Sequence, residues 1–358
     1  GYHQSPSPPL ATCAGRHVVC RQALHACQRQ LNTNMKCAQT EARWRAVHSK
    51  CPPSVWISRY ADAIRADGLN ESFAVINVGA NKGYTLLAIA LAFGLTSFTP
   101  MQQFDHISRY VIANRPGVAW NVSDVSRLCG VCRACVEPFE VRAPFLKHVQ
   151  LYGIEVQPQN VAWLRHIVPV WNVSIAVVLH AAGHSVPDLT IRFGESESVG
   201  IEVLTSGRGQ SVSTVSVDSL ATRANLHRIH ILSIDAEGYD FEVLRGSKRM
   251  LSEQAIDVIE FEVKKWSVIA PQVRIIESFG YLCAWQGEDG CFSNVSCSTH
   301  YPLIRWSNIV CTRLIYAHIL PTSKCDRSKE SRRHRLAAGD AALFSRFQAY
   351  WQQSHWNK

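Results

Sequence analysis

The stretch FAVINVGANKGYTLLAIALAFG, from Phe73 to Gly94, decides the fold class. An apolar, β-branched run ends at Gly79, a small polar turn leads to Gly83, and a helix-length apolar segment follows. Strand, glycine turn and helix in this order predict an α/β domain in which the helix N-terminus receives a carboxylate or phosphate. Asn81 stands where a G-x-G-x-x-G dinucleotide site has its middle glycine, which favours a group smaller than a pyrophosphate. A purely structural turn is the alternative.

Strand-like and helical segments alternate after this stretch. The early apolar runs are continuous and β-branched, as in parallel strands that are buried on both faces. Their alternation with helical segments predicts a doubly wound α/β sheet. Residues 96–149 are too long for an ordinary connection and are predicted to be an inserted, Cys-containing segment. The predicted strands are FAVINV, LYGIEV, IAVVLHA, LTIRF, IHILSID, AIDVIEFEV, GYLCAW and SNIVCTRL.

Two further stretches place acids at the ends of predicted strands. In GIEVQPQN, Glu155 ends the second main strand, where a carboxylate can chelate ribose hydroxyls or simply lie on the surface. In LSIDAEGYDFEVLRGSKRML, Asp235 and Glu237 are two residues apart at a strand end, and therefore share a face. Such a pair can hold a proton or orient a hydroxyl. Alternatively, Glu237 caps the helix that follows.

Together with VSVDSL and IDVIEFEV, these stretches resemble the FkbM-type methyltransferases, which use S-adenosylmethionine and have the class I methyltransferase fold. The resemblance covers about residues 73–315, and its most specific part is IDAEG followed by EVLRG. It implies a mostly parallel, seven-stranded Rossmann-like sheet with SNIVCTRL as the final, antiparallel strand. The family usually has lysine where this chain has Ser233. If that lysine positions substrate or tunes the aspartate, the acceptor or the mechanism differs here.

The resemblance also implies which residues bind the cofactor. The glycine turn would surround the methionine end of S-adenosylmethionine, the acid of the second strand would bind the ribose, and the segment after the third strand would lie near the adenine. The cofactor-binding residues implied in this way are Gly79, Ala80, Asn81, Gly83, Glu155, His180, Ala181 and Asp235.

Methyl transfer to a poor nucleophile such as a sugar hydroxyl needs an aligned acceptor and a base. Asp235 is the first candidate for that base. Glu260 shares a strand face with Glu262, and a buried acid there needs a partner. His180 is a weaker candidate, because a lone histidine in an apolar strand is more often a satisfied core residue. The further catalytic candidates are Glu237, His184 and Glu262.

The formal net charge of +9 is concentrated in the two flanks of the chain. Residues 1–50 have seven Lys and Arg against one acid, and residues 324–358 have eight against three, so the intervening core is slightly acidic. A core without excess positive charge argues against a nucleic-acid partner. No run approaches the roughly 20 apolar residues of a membrane span. A signal peptide or membrane tether preceding Gly1 is an open alternative.

The chain has thirteen cysteines and four N-glycosylation sequons, which indicate an oxidising, glycosylating compartment. We therefore expect the protein in the Golgi lumen or secreted; coincidental sequons and reduced thiols are the alternative. Cys129, Cys132 and Cys135 have metal-like spacing, but no fourth ligand beyond His148 is evident, so disulfides are favoured and no metal is predicted. The sequons begin at Asn70, Asn121, Asn172 and Asn294.

The chain divides into four predicted regions. Residues 1–12 are a proline-rich linker or stem, and residues 13–60 are a helical, Cys-rich region with disulfide links. Residues 61–320 are the methyltransferase domain with its insertion. Residues 321–358 are a basic tail with an amphipathic helix.

Symmetry about a turn at Asn32 predicts how the N-terminal cysteines pair. In an antiparallel helical hairpin, Cys27 then faces Cys37, and Cys13 faces Cys51. We predict these two disulfides, which leave Cys20 unpaired within the hairpin.

The sequence therefore predicts a luminal or secreted S-adenosylmethionine-dependent O-methyltransferase that acts on a hydroxyl of a carbohydrate. The sugar acceptor follows from compartment and family tendency, not from a particular residue. One alternative is an NAD-dependent oxidoreductase, against which Asn81 argues. The other is a non-catalytic glycoprotein that keeps the fold as a binding scaffold, and Ser233 is its best support.

Overall fold

The computed structural model describes the central part of the chain. The predicted stem, both predicted hairpin disulfides and the basic tail lie outside the described residues. No helix within the described ranges is long and apolar enough to span a membrane. The described residues are 54–68, 72–114, 128–129, 142–146, 148–173, 175–193, 210–263, 266–286, 292–295 and 307–320.

The strands of the described residues form a large sheet of eight strands and a small sheet of three. In chain order they are β1 (Ser72–Val78), β2 (His148–Glu155), β3 (Ile175–His180), β4 (Ala182–Gly183), β5 (Thr190–Phe193), β6 (Gln210–Val215), β7 (Ile229–Ile234), β8 (Ile256–Val263), β9 (Tyr281–Gln286), β10 (Phe292–Asn294) and β11 (Ser307–Arg313).

The large sheet has the spatial order β10-β9-β11-β8-β7-β1-β2-β3. Strands β3, β2, β1, β7 and β8 pair in parallel, and β11 is antiparallel to both of its neighbours, β8 and β9. The predicted doubly wound, mostly parallel sheet is confirmed, and so is its antiparallel final strand. The short β10 adds an eighth strand as a hairpin on β9.

The strand order reverses between β1 and β7, because the chain builds outward from β1 through β2 and β3 and then returns to β7. In doubly wound folds, ligands bind at the carboxyl ends of the strands beside this reversal. Every residue of β7 is buried, and so is every residue of β8 except Glu262. The continuous apolar runs of the sequence are therefore explained by helices that cover both faces.

Eight α-helices are described. The helix of the opening stretch is buried from Leu86 to Ala92, as its uniform apolarity predicts. A helix runs across the boundary predicted at residue 60 and buries Trp56 and Tyr60 completely. The α-helices are α1 (Val55–Ala66), α2 (Tyr84–Ala92), α3 (Pro100–Asn114), α4 (Pro158–Ile167), α5 (Val217–Arg223), α6 (Asp240–Arg245), α7 (Lys248–Ser252) and α8 (Trp266–Ser278).

The segment predicted as an insertion contains α3, which packs against α4. The rings of Tyr110 and Trp163 lie 5.7 Å apart, so this part of the segment belongs to the domain core. Cys129 is disulfide-bonded, as expected for a cysteine of its cluster. Cys132 and Cys135 lie outside the described residues.

The run LTIRF forms β5 of the small sheet and not a strand of the large one. The order of the small sheet is β4-β6-β5, with β4 parallel and β5 antiparallel to β6. Only Phe193 of β5 is buried. The sequence does not separate this strand from the others, because a short apolar run indicates a strand without indicating its partners.

A disulfide between Cys283 and Cys311 joins β9 to β11. The two residues are direct partners in the antiparallel register and are both fully buried. A cross-link at this position ties the antiparallel strand into the sheet. This pair was not predicted from the sequence, because no spacing rule connects cysteines of two separate strands.

A buried aspartate at the opposite, amino edge of the sheet holds α1 in place. Asp257 is fully buried and accepts hydrogen bonds from the Tyr60 hydroxyl (2.7 Å), the Arg228 guanidinium (2.8 Å to Nη2) and the Arg313 guanidinium (3.0 Å). Because the carboxylate is removed from water, each of these donors offsets part of its desolvation.

Asp257→Asn is expected to lower the free energy of unfolding by about 3 kcal/mol, since it removes the charge that both arginines share. Asp188→Asn is the matched control. Asp188 is exposed and lies 3.7 Å from Arg223, and its φ of 61° suits asparagine. A change below about 0.5 kcal/mol is expected for the control. Urea denaturation of both variants measures the difference, and equal effects would contradict the assigned role of Asp257.

Candidate active site

The backbone of the glycine turn packs directly on the end of β7. Gly79 has a φ of 77°, and a Cβ atom at this position would lie 1.9 Å from the carbonyl oxygen of Asp235. The Asp235 amide donates to the Val78 carbonyl at 2.9 Å. Only glycine fits, both in conformation and in space. The predicted cofactor turn and the predicted base are therefore adjacent at the point where the strand order reverses.

The same turn is bonded to the end of β2. The amides of Gly79 and Ala80 both donate to the carbonyl of Ile154, at 2.9 and 3.0 Å. The amide of Asn81 donates to Oε2 of Glu155 at 2.6 Å. These three N–H groups of the turn already have acceptors in the chain, whereas the N–H groups predicted to receive an anion are those at the N-terminus of α2.

Gly83 is the N-cap residue of α2, as predicted, with a φ of 79°. A Cβ atom there would lie 2.8 Å from the Leu164 side chain and 3.2 Å from Trp171. Its amide donates to the Ala80 carbonyl at 2.8 Å. Close packing of α2 on α4 and the left-handed backbone both require glycine.

Glu155 is buried at the end of β2 and is held by the chain around it. Its Oε1 accepts from the Gln157 amide at 2.8 Å, and Oε2 accepts from Asn81. Burial raises its pKa, whereas these bonds, the Asn160 amide and the charge of Lys82 oppose the rise. A carboxylate has about four acceptor positions, and three donors leave capacity for a ribose hydroxyl. The residue therefore fits the ribose role.

The residues predicted to lie near the adenine follow the neighbouring strand. His180 is the register partner of Glu155, and the Ala181 amide donates to the Glu155 carbonyl at 3.1 Å. His180 is exposed, and its Nε2 lies 3.0 Å from the Val156 carbonyl. The structure thus aligns all the predicted cofactor residues along the carboxyl edge of β7, β1, β2 and β3.

Three of the predicted catalytic acids come together at the end of β7 and β8. One carboxylate oxygen each of Asp235, Glu237 and Glu262 lies within 4.8 Å of the other two. Asp235 is exposed and the other two are half-buried. Such a group can share a proton, orient a hydroxyl or hold a hard cation such as Mg²⁺. The sequence favoured the first two roles for Asp235 and Glu237 and predicted no metal.

A fourth acid, Asp240, holds the turn that brings this group together. It is almost fully buried at the start of α6. Its Oδ2 accepts from the Gly238 amide at 3.1 Å and its Oδ1 from the Glu262 amide at 3.2 Å. The turn before Asp240 has a left-handed φ of 53° at Glu237, which is unfavourable for a residue other than glycine, and a φ of 98° at Gly238, which suits glycine. Asp240 therefore fixes the turn against the end of β8.

The burial of Asp240 lowers the stability of the fold once its carboxyl group is ionised. Burial raises its pKa from 3.8 to about 6, although hydrogen bonding to backbone N–H groups, that of Gly238 first, opposes the rise. The folded state therefore binds the proton more tightly than the unfolded chain, and stability falls by about 3 kcal/mol as the pH rises through this range. Asp240 was not predicted from the sequence, although an acid in the first turn of the helix after IDAEG is a signal for such a role.

His184 and Glu260 lie in other environments. His184 accepts from the Val186 amide on Nδ1, and its Nε2 lies 4.0 Å from Glu242, so it is held outside the group of three acids. Glu260 is buried and accepts from the Trp56 indole at 3.2 Å. Its other donors are Asn308 at 3.1 Å and Ser233 at 3.3 Å.

The strand order and the residues at the reversal define a protein of the class I methyltransferase type. Residues 111–283 match the model of the family described as "Methyltransferase FkbM domain". This match confirms the resemblance to the FkbM-type methyltransferases for residues 111–283, which are slightly less than half of the chain. The matched segment includes Glu155, Asp235 and Glu262 and excludes the glycine turn. S-adenosylmethionine is the cofactor that this class implies, and Glu155 fits it.

No curated protein matches the sequence. Among solved structures, precorrin-6y C5,15-methyltransferase from Geobacter metallireducens is 10% identical and has a TM-score of 0.29, over 72% of this chain and 86% of that one. Aeropyrum pernix fibrillarin, solved with bound S-adenosyl-L-methionine, is 9% identical with a TM-score of 0.30, over 72% and 76%. A TehB-like methyltransferase from Corynebacterium glutamicum is 11% identical with a TM-score of 0.29, over 78% and 100%. Because these scores are low, the fold assignment rests on the strand order.

Asp240→Asn is expected to lower methyl-transfer turnover at least about tenfold. Asparagine offers only one oxygen to the two backbone donors, so the turn carrying Asp235 loses its position. The affinity for S-adenosylhomocysteine should stay within about threefold of wild type, because neither the glycine turn nor Glu155 is altered.

Asp218→Asn is the matched control for Asp240→Asn. Asp218 also accepts two backbone N–H bonds, from Arg249 at 2.8 Å and Met250 at 3.1 Å, but it joins α5 to α7. Thermal melts verify that both variants are folded. If both variants lose turnover equally, Asp240 has only a structural role and does not position the acids.

Proposed function

We propose that the protein is an S-adenosylmethionine-dependent O-methyltransferase that methylates a hydroxyl of a carbohydrate in the secretory pathway. One observation carries the methyltransferase reaction: Asp235 abuts Gly79 at the reversal of strand order, in a group with Glu237 and Glu262. A base is thereby placed beside the cofactor turn. The oxygen acceptor follows from the chemistry of that group, since carboxylates accept the proton of a hydroxyl.

The bound cofactor supplies a methyl group that is already activated for transfer. The chain must hold an acceptor hydroxyl in line with that group and remove its proton as the new bond forms. Asp235, exposed at the end of β7, is the group that receives this proton. Glu237 and Glu262 lie close enough to orient the same hydroxyl. Asp240 keeps the three carboxylates in register through backbone bonds.

Two features support the secretory compartment. The disulfide between Cys283 and Cys311 is buried within the sheet, and Cys129 also forms a disulfide. Disulfides of this kind persist in oxidising compartments. The sequon residue Asn172 is exposed at the end of the 3₁₀ turn Val168–Trp171, where a glycan can be attached. A glycan acceptor is consistent with a luminal location, where such substrates are abundant.

Calorimetry with S-adenosylmethionine, S-adenosylhomocysteine and NAD tests the cofactor. We expect binding of the first two and none of NAD. Transfer of a radiolabelled methyl group to a panel of neutral, acidic and sulfated glycans then tests the acceptor. Binding of NAD alone would favour an oxidoreductase, and an absence of cofactor binding would favour a scaffold. Transfer to peptides but not to glycans would refute the carbohydrate assignment.

Asp235→Asn is expected to reduce turnover roughly a hundredfold, the usual scale for the loss of a base. The side chain is exposed and isosteric with asparagine, so the fold and the affinity for S-adenosylhomocysteine should be preserved. Steady-state kinetics with the best glycan of the panel gives the comparison. Asp188→Asn, another exposed aspartate, serves as the control. Unchanged turnover would assign the base to Glu262 or another residue.

Glu155→Ala is expected to weaken S-adenosylhomocysteine binding by about 1–3 kcal/mol, because a charged hydrogen-bond acceptor is lost. Glu253→Ala is the control, since Glu253 is exposed and forms an ion pair with Arg249, four residues earlier. Isothermal titration calorimetry on folded protein, verified by circular dichroism, measures both. If Glu155→Ala binds S-adenosylhomocysteine with wild-type affinity, Glu155 does not belong to the cofactor site.

A further inference from the structure

Lys82 lies in the middle of the glycine turn and is rigidly placed there. Its carbonyl oxygen accepts from the Gln103 side-chain amide at 2.6 Å and from the Trp163 indole at 3.3 Å. The next residue is Gly83, whose packing against Leu164 leaves no room for a side chain. Helices α3 and α4 thus fix the main chain from which the lysine side chain projects.

The ammonium group of Lys82 has more donors than partners. Its Nζ donates to Oδ1 of Asn81 at 3.0 Å, and this is its one hydrogen bond to the part of the chain that the structure describes. An ammonium has three N–H donors. Burial lowers the pKa of Lys82, and the charge of Glu155 opposes that effect. A half-buried ammonium with donors to spare is stabilised by an acceptor from a ligand.

The charges around the turn indicate which ligand group that acceptor is. The amides of Gly79, Ala80 and Asn81 are bonded within the chain. Glu155, next to the turn, suits hydroxyl groups but repels an anion. A cation that offsets the charge of Glu155 favours a carboxylate at this place, beside the N-terminus of α2. Lys82 is the cation of the turn.

We propose that Lys82 binds the carboxylate of the amino-acid moiety of S-adenosylmethionine. The inference rests on the proposed function and assigns the anionic end of the cofactor to a side chain that the sequence analysis did not select. In this arrangement Glu155 binds the ribose, and Lys82 binds the carboxylate. A contact between Lys82 and a ribose oxygen is the competing arrangement, and it makes a different prediction.

The test compares two ligands that differ in the amino-acid moiety. S-adenosylhomocysteine has the carboxylate, whereas 5′-methylthioadenosine has the adenine and ribose without it. For Lys82→Met we expect the Kd of S-adenosylhomocysteine to rise at least about tenfold, since a charged hydrogen bond is lost. The Kd of 5′-methylthioadenosine should change less than about twofold. Isothermal titration calorimetry measures both, and neither titration requires the acceptor.

Two further variants complete the design. Lys82→Arg keeps the positive charge and should retain the affinity for S-adenosylhomocysteine within about fivefold. Arg165→Met removes an exposed cation of α4 whose guanidinium donates to the Val178 carbonyl at 3.3 Å, and this variant should change the affinity for neither ligand. Thermal melts without ligand confirm that each variant is folded; if Lys82→Met is not, Lys82→Gln takes its place.

The outcomes separate this inference from the proposed function. Selective loss of S-adenosylhomocysteine binding supports the carboxylate contact. Equal weakening of both ligands overturns it in favour of a ribose contact, and unchanged binding of both removes Lys82 from the site. A wild-type protein that binds neither S-adenosylhomocysteine nor S-adenosylmethionine would overturn the proposed function and this inference together.

Discussion

The arrangement of the site depends on a backbone contact between Gly79 and Asp235. At this contact the carbonyl of one strand end occupies the space of the missing Cβ of the other. The contact lies where the strand order reverses, so it sets the spacing between two halves of the site: the predicted cofactor half, on β1, β2 and β3, and the acid half, on β7 and β8. Any side chain at residue 79 would move these halves apart, because backbone atoms cannot yield as a flexible side chain can.

The two halves are stabilised in different ways. In the cofactor half, main-chain amides of the turn bond to the carbonyl and the carboxylate at the end of β2, so the shape is fixed before any ligand arrives. In the acid half, Asp240 accepts hydrogen bonds from the main-chain amides of Gly238 and Glu262 and thereby positions the group of three acids. Both use ionised side chains removed from water, which is costly for stability and useful for preorganisation. Ser233 belongs to a similar arrangement, because the buried Glu260 accepts hydrogen bonds from Ser233, Trp56 and Asn308, and these three donors are uncharged.

The sequence was sufficient for features that depend on local pattern. The strand, the glycine turn and the buried α2 followed from residues 73–94, and Glu155 was placed correctly at the end of β2. Features that depend on distant partners were not accessible in this way. The pairing of Cys283 with Cys311 requires the register of β9 on β11, and the role of Asp240 requires the end of β8 to lie beside it. Likewise β5 has the composition of a core strand, but its partner is β6 of the small sheet.

The position of β11 has a consequence for how the chain reaches its native state. This strand comes late in the sequence, yet it lies between β8 and β9, which are not neighbours without it. During synthesis, β9 therefore has no place in the sheet until residues 307–313 have left the ribosome. Up to that moment the edge of β8 remains open, and an open edge invites pairing with other chains. The thiols of Cys283 and Cys311 meet only when this insertion is complete, so oxidation of the pair reports that the sheet has closed.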